Sequence, residues 1–296
     1  MRAGLLLSAQ LPGDGDPRAA LGEWLEQVRL ARALGFDAVL APQHYLAEPY
    51  RMLQPLPLLG RLTAEAEGMR LGTGVLLLTL LNPVEVAEAA ATLDVISGGR
   101  LVLGVGLGYR REEREAFAAP ERRAAAFRDK LDVVRRLLEG EVVTTSGPGY
   151  RLHGARLALR PLQRPRPPIW LAANADAGVR RAARLGDAWL VNPHGSLGEL
   201  ERQVGLYRRE RGGPPGEVPV VREAVVAPTD EEAEALARAH LAPKYRTYLG
   251  WGQDQAVPSA DTLRREWEAL RAGRFLIGAR RVHETRVSHR ESCRKA

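Results

Sequence analysis

Cysteine is nearly absent: Cys293 is alone among 296 residues. An intrachain disulfide is therefore excluded, and a reducing, cytoplasmic setting is the expectation. Long apolar runs are absent too, since no stretch approaches the ~20 residues that span a bilayer. The first apolar run, residues 3–8, follows a single Arg and is too short for a signal peptide, so it reads as a buried strand. Lysine is scarce, with only Lys130, Lys244 and Lys295, so arginine carries most of the net charge of +7. Residues 279–296 alone hold +4 of it, through Arg280, Arg281, Arg286, Arg290, Arg294 and Lys295 against Glu284 and Glu291. The rest is close to balanced, so the excess reads as a solvated tail, with neither nucleic acid nor a membrane expected as partner.

What the sequence does have is rhythm. Apolar residues make up 45% of the chain, and they fall in short runs that alternate with amphipathic stretches. The run at 70–78 is nearly continuous, as in a strand buried on both faces. Asn82-Pro83-Val84-Glu85 then reads as an N-cap, a first-turn proline and a capping-box acid. Helical patterns are expected over 17–34, 122–138, 176–185 and 197–209, and another opens at Thr229 with Glu232. Segments 142–150 and 156–159 interrupt the alternation and read as a hairpin around Ser-Gly-Pro-Gly. Repeated strand–helix units imply a parallel sheet, as a barrel or an open doubly wound sheet. At this length a single barrel of roughly 250 residues fits.

One glycine-rich run could mislead. Gly104-Val105-Gly106-Leu107-Gly108-Tyr109 follows a strand, but a dinucleotide fingerprint needs G-x-G-x-x-G opening a helix. Tyr109 stands in the last glycine's place, and the charged residues Arg110, Arg111, Glu112 and Glu113 come next. Two readings remain: backbone passing close to a flat ligand, or glycines that only let the strands pack tightly.

Three blocks occur in order: Arg70–Val75 through Asn82-Pro83, Asp94, Ser97-Gly98-Gly99-Arg100 and the glycine run; Pro167–Trp170 with Arg181–Trp189; and Arg274–Gly278. In these blocks the sequence resembles the bacterial-luciferase-like family of flavin-dependent oxidoreductases. The resemblance implies an α/β fold, a (β/α)8 TIM barrel with a hairpin insertion after the fourth helix, and this chain's departure from it near the end leaves an incomplete C-terminal strand as the expectation. It covers residues 1–278 as one domain and leaves 279–296 as an atypical Arg-rich tail. It also implies reduced FMN, or the deazaflavin coenzyme F420, across the mouth where the strands end. The chemistry would be monooxygenation with O2 on a small organic substrate, or hydride transfer. A homodimer and a separate flavin reductase are implied as partners. The rival class is a non-catalytic basic binding protein or inactive remnant.

The same resemblance assigns residues. His44, at the second strand's mouth, is the catalytic candidate, able to pass protons near neutral pH. Gln43 precedes it where the family often has Glu, and a neutral amide cannot tune an imidazole as a carboxylate would. Thr79, Gly104, Gly106 and Tyr109 are expected against the flavin, with Arg110 either near it or on the surface. Ala173, Asn174 and Ala175, opening a helix, are expected near the flavin phosphate, where Asp176 would repel it. Gln10 and His194 are expected in the substrate pocket, and loops 47–57 and 249–259 are expected to choose the substrate. His283, His289 and Cys293 lack a fourth partner, so no metal is expected. After Gly278 the family continues with an acidic helix and a closing strand, whereas this chain turns Arg-rich; a reading-frame change is the expectation there.

Overall fold

The computed structural model describes residues 2–213, 216–253, 267–271 and 273–279. The tail with His283, His289 and Cys293, and most of loop 249–259, lie outside them. The chain divides into two compact units, Met1–Ala172 with Leu185–Leu190, and Ala173–Arg184 with Val191–Ala296.

The first unit opens with β1 (Gly4–Leu6), β2 (Gln10–Pro12), α1 (Pro17–Ala33), β3 (Ala38–Ala41), β4 (Tyr50–Met52) and α2 (Pro55–Leu62). There follow β5 (Arg70–Thr73), β6 (Leu76–Leu77), α3 (Pro83–Ile96), β7 (Leu101–Gly106), α4 (Arg111–Ala116) and α5 (Arg123–Glu139). A hairpin, β8 (Val143–Gly147) and β9 (Tyr150–Ala155), precedes β10 (Ile169–Ala172). After helix α6 (Asp176–Leu185), which but for its last residue belongs to the second unit, the first unit resumes with β11 (Ala188–Leu190). Strands β1, β3, β5, β7, β10 and β11 lie side by side in that order, all parallel, in a curled sheet. Each strand neighbours the one before it, so all six strands end on the same edge of the sheet, where catalytic loops collect in such folds.

Local chemistry explains the boundaries. Asp16 accepts from the Arg18 N–H and Asn82 from the Val84 N–H, each with proline at the first helical position. All six residues of β7 are buried, as expected of a central parallel strand. Two expectations are corrected. The run 70–78 is split into β5 and β6, and the hairpin's second strand starts at Tyr150. Gly149 takes φ of +80°, so the chain turns within Pro148-Gly149 and Gly147 pairs with Tyr150.

Buried polar groups hold the loops at the sheet's mouth. Lys130 is buried on α5 and donates to the carbonyls of Thr79 (2.7 Å) and Leu81 (2.8 Å). Burial pushes its pKa down. Arg123 donates to the Gly108 carbonyl at 2.9 Å, fixing the end of the glycine run.

The second unit continues with α7 (Leu197–Arg211), β12 (Ala224–Ala227), α8 (Asp230–Gly250), α9 (Trp267–Arg271) and β13 (Leu276–Ala279). Strands β12 and β13 pair in parallel, and α8 packs on them around Leu241, Tyr245, Trp267 and Phe275. Arg202 on α7 grips Asp176 at 2.8 and 2.6 Å, and Glu199 at 2.7 Å.

Two predictions follow from packing and charge. A Cβ at Gly104 would meet the Thr73 carbonyl oxygen at 2.0 Å, whereas one at Gly22 in α1 meets nothing within 4 Å. Gly104→Ala should cost at least about 1–3 kcal/mol and Gly22→Ala should gain up to about 1 kcal/mol, read as urea midpoints. Hydrogen bonds from Arg202 hold the Asp176 carboxyl down to about 2. Its contribution is therefore present above the ordinary aspartate range and is lost as pH falls toward 2. Asp176→Asn should lower stability at pH 6 by less than about 1 kcal/mol, the pair being partly exposed, and the difference should shrink below pH 4.

Candidate active site

In the first unit, the loop after β3 carries His44, and the short helix α4 lies against that loop. The Nδ1 of His44 stands 2.9 Å from Glu113 Oε1. The Tyr45 N–H donates to the same oxygen at 2.9 Å. Glu113 is 1% exposed, and its other oxygen, Oε2, is buried without a hydrogen-bond partner among the described residues. The oxygen that accepts from the Tyr45 N–H is thus also placed to accept from an N–H at His44 Nδ1. The ring of Tyr109 meets the His44 ring edge-on, with centroids 5.8 Å apart.

Arg110 is 3% exposed, so its surface placement is excluded. It donates to the carbonyls of Tyr45 (2.8 Å) and Leu46 (3.1 Å) and lies 3.7 Å from Glu113 Oε1. Gln43 has a different task from the one its sequence position suggests. Its Nε2 donates to Tyr45 Oη (2.9 Å) and Gln54 Oε1 (3.1 Å), while its Oε1 accepts from the Leu77 N–H at 2.9 Å. It bolts β6 to the His44 loop. The carboxylate that Gln43 cannot supply comes instead from Glu113, 69 residues along the chain from His44. Burial raises the pKa of Tyr45, and the charges of Glu113 and Glu85 add to that.

The other expected residues of this unit have definite surroundings. The Thr79 hydroxyl donates to the Leu107 carbonyl. Gly104 and Gly106 are needed for strand packing, because a Cβ would meet Thr73 O at 2.0 Å and Val75 Cγ2 at 2.8 Å respectively. Gln10 pairs with Met52 in the antiparallel β2–β4 ribbon.

In the second unit, Ala173, Asn174 and Ala175 lead into α6. Asn192 donates to the Asn174 side-chain oxygen, and Gln203 Nε2 donates to the Asn174 carbonyl at 2.6 Å and to Asp176 at 3.2 Å. Asn174, Asn192 and Gln203 line a small cavity together with Ala173, Gly195 and Glu199. The Asp176 charge, expected to repel phosphate, is offset by the Arg202 fork. His194 is 8% exposed, packed edge-on against Tyr245 (5.4 Å) and Tyr248 (5.2 Å). Arg274 Nε donates to its carbonyl at 2.9 Å. The Tyr245 hydroxyl is buried without a hydrogen-bond partner among the described residues, and burial pushes its pKa well up.

Sequence reasoning missed Glu113, Gln54, Lys130 and Arg202. A signal for the first existed: Arg110 and Glu113, three apart, share a helix face, whereas Arg111 and Glu115 form an exposed pair.

The family model for luciferase-like monooxygenases matches residues 1–288. An F420-dependent glucose-6-phosphate dehydrogenase of Beutenbergia cavernae is 35% identical over 170 residues, covering 54% of this chain and 49% of that one. The uncharacterised protein y4vJ of Sinorhizobium fredii is 28% identical over 218 residues, 73% of this chain, which spans 62% of its length. Among solved structures, the monooxygenase RslO1 of Streptomyces bottropensis superposes with a TM-score of 0.81 at 25% identity, covering 99% of this chain and 89% of that one. The oxygenating constituent of 3,6-diketocamphane monooxygenase from Pseudomonas putida, solved with FMN, gives 0.80 at 17% identity, covering 98% and 88%. With the family model spanning nearly all of the chain and its parallel sheet built as in these relatives, the chain belongs to the luciferase-like monooxygenase family.

Proposed function

We propose that this chain is a flavin-type oxidoreductase in which His44 Nε2 moves the proton while the bound cofactor moves the electrons. The observation that carries this is the buried Glu113 carboxylate on His44 Nδ1. It fixes the tautomer and stabilises the imidazolium once a proton arrives, a division of labour known from other carboxylate–histidine pairs. The buried Glu113 Oε2 suits a cofactor of this kind, because a flavin or deazaflavin ring, or a substrate hydroxyl, brings an N–H or O–H donor that a carboxylate can accept. Such a cofactor supplies hydride transfer or oxygen activation when bound. Thr79 and Tyr109 are proposed ring contacts. Gly104 and Gly106 contribute by letting β7 lie close to its neighbours. Ala173, Asn174 and Ala175 are proposed for the phosphate, and Gln10 and His194 for the substrate.

The first reading is monooxygenation of a small organic substrate with reduced FMN and O2, in a homodimer served by a separate flavin reductase. The second is hydride transfer with a deazaflavin, as the name of the Beutenbergia relative states for that protein. The His44–Glu113 pair favours this second reading, because taking hydride from an alcohol carbon requires a base for the hydroxyl proton.

The purified chain should bind reduced FMN or a deazaflavin, seen as a fluorescence change and a rise in melting temperature. His44→Ala should leave that binding within about threefold and lower turnover by about 10²–10⁴-fold. Substrate-dependent O2 consumption with reduced FMN selects the first mode; anaerobic bleaching of oxidised deazaflavin by an alcohol selects the second. Full turnover in His44→Ala would overturn the proton-transfer role, and binding of neither cofactor would overturn the function.

A further inference from the structure

We infer that Arg110 is a positioning residue, whose guanidinium holds the His44 loop and its carboxylate partner in one geometry. The inference rests on the reading of His44 as the proton carrier. The residue sits at the junction of β7 and α4, and its side chain turns back to the loop after β3 instead of outward. One terminal nitrogen takes the Tyr45 carbonyl at 2.8 Å, and the other takes the Leu46 carbonyl at 3.1 Å. Glu113, one helical turn along, takes the Tyr45 N–H and His44 Nδ1. The residue following His44 is thus gripped at its N–H by a carboxylate and at its C=O by a guanidinium, both from the start of α4.

Two features show why the loop needs this grip. Leu46 has φ of 48°, a left-handed conformation that a non-glycine residue keeps only when its surroundings impose it. The residue is 66% exposed, so burial of Leu46 does not hold it there. The planar fork of arginine reaches two successive carbonyls at once, which a lysine ammonium on a flexible stem reproduces poorly. The positive charge 3.7 Å from Glu113 Oε1 also keeps a buried carboxylate from standing as an uncompensated charge. Loss of Arg110 therefore releases the loop and removes a charge partner of the group that orients His44.

Amide hydrogen exchange in the ligand-free full chain tests this, with turnover and cofactor affinity measured alongside. Arg110→Lys should speed exchange at Tyr45 by about tenfold or more, while amides in β5 and β7 stay as in wild type. Turnover should fall by about tenfold, with the dissociation constant for reduced FMN or deazaflavin, whichever binds, within about twofold. Glu113→Gln should also speed Tyr45 exchange. The double variant should be little worse than either single one, as for groups acting as one unit. Wild-type exchange at Tyr45 in Arg110→Lys would overturn the inference. So would a tenfold loss of cofactor affinity with exchange unchanged, which would make Arg110 a cofactor contact. Rapid exchange of the Tyr45 amide in the native chain would overturn it without any variant. Because exchange is read without turnover, this failure is distinguishable from failure of the His44 reading.

Discussion

A single buried carboxylate organises the first unit's functional edge. Glu113 Oε1 stands 2.9 Å from the His44 imidazole, accepts from a backbone N–H and lies beside a buried guanidinium. Burying a carboxylate costs several kcal/mol unless such partners are in place, and removing one partner of a buried pair typically costs about 3–5 kcal/mol. The His44 loop, the start of α4 and the Tyr45 backbone therefore have one low-energy arrangement in common. That arrangement sets a buried carboxylate against the Nδ1 edge of the imidazole.

The parallel sheet makes this possible at a distance in sequence. β3 delivers His44 and β7 delivers Arg110, and β5 lies between them, paired to both. β5 packs closely against β7 because Gly104 leaves room for the Thr73 carbonyl. Gln43 then ties the His44 loop to β6 through the Leu77 N–H, and Lys130 ties the following loop through the carbonyls of Thr79 and Leu81. The glycine run thus acts chiefly on strand spacing, and the polar residues around it act on loop position.

Much of this was legible in the sequence. Asn82-Pro83 and Thr229 with Glu232 announced helix starts through local capping chemistry, which spans only three or four residues. The position of His44 after a strand, with the family resemblance, is what marks it as a candidate. Glu113 is harder to read, because Arg110-Arg111-Glu112-Glu113 has the composition of a solvated charge run, and only the three-residue spacing of Arg110 and Glu113 hints that these two turn inward together. Gln43, standing where the family often has Glu, cannot tune the imidazole itself, and a carboxylate partner 69 residues away from His44 leaves no trace beside it. The hairpin is legible too, but Pro148-Gly149 makes a tighter turn than the four-residue Ser-Gly-Pro-Gly pattern suggests, so its second strand begins earlier, at Tyr150. The Arg202 fork that offsets Asp176 was likewise hidden, its two halves lying on separate helices.

The most direct test of the central claim is the nitrogen chemical shifts of the His44 ring in ligand-free protein labelled with nitrogen-15. The account predicts that the neutral imidazole carries its hydrogen on Nδ1 with Nε2 bare, and that Glu113→Gln shifts the population toward the other tautomer. A wild-type ring protonated mainly on Nε2, or signals indifferent to Glu113→Gln, would contradict it.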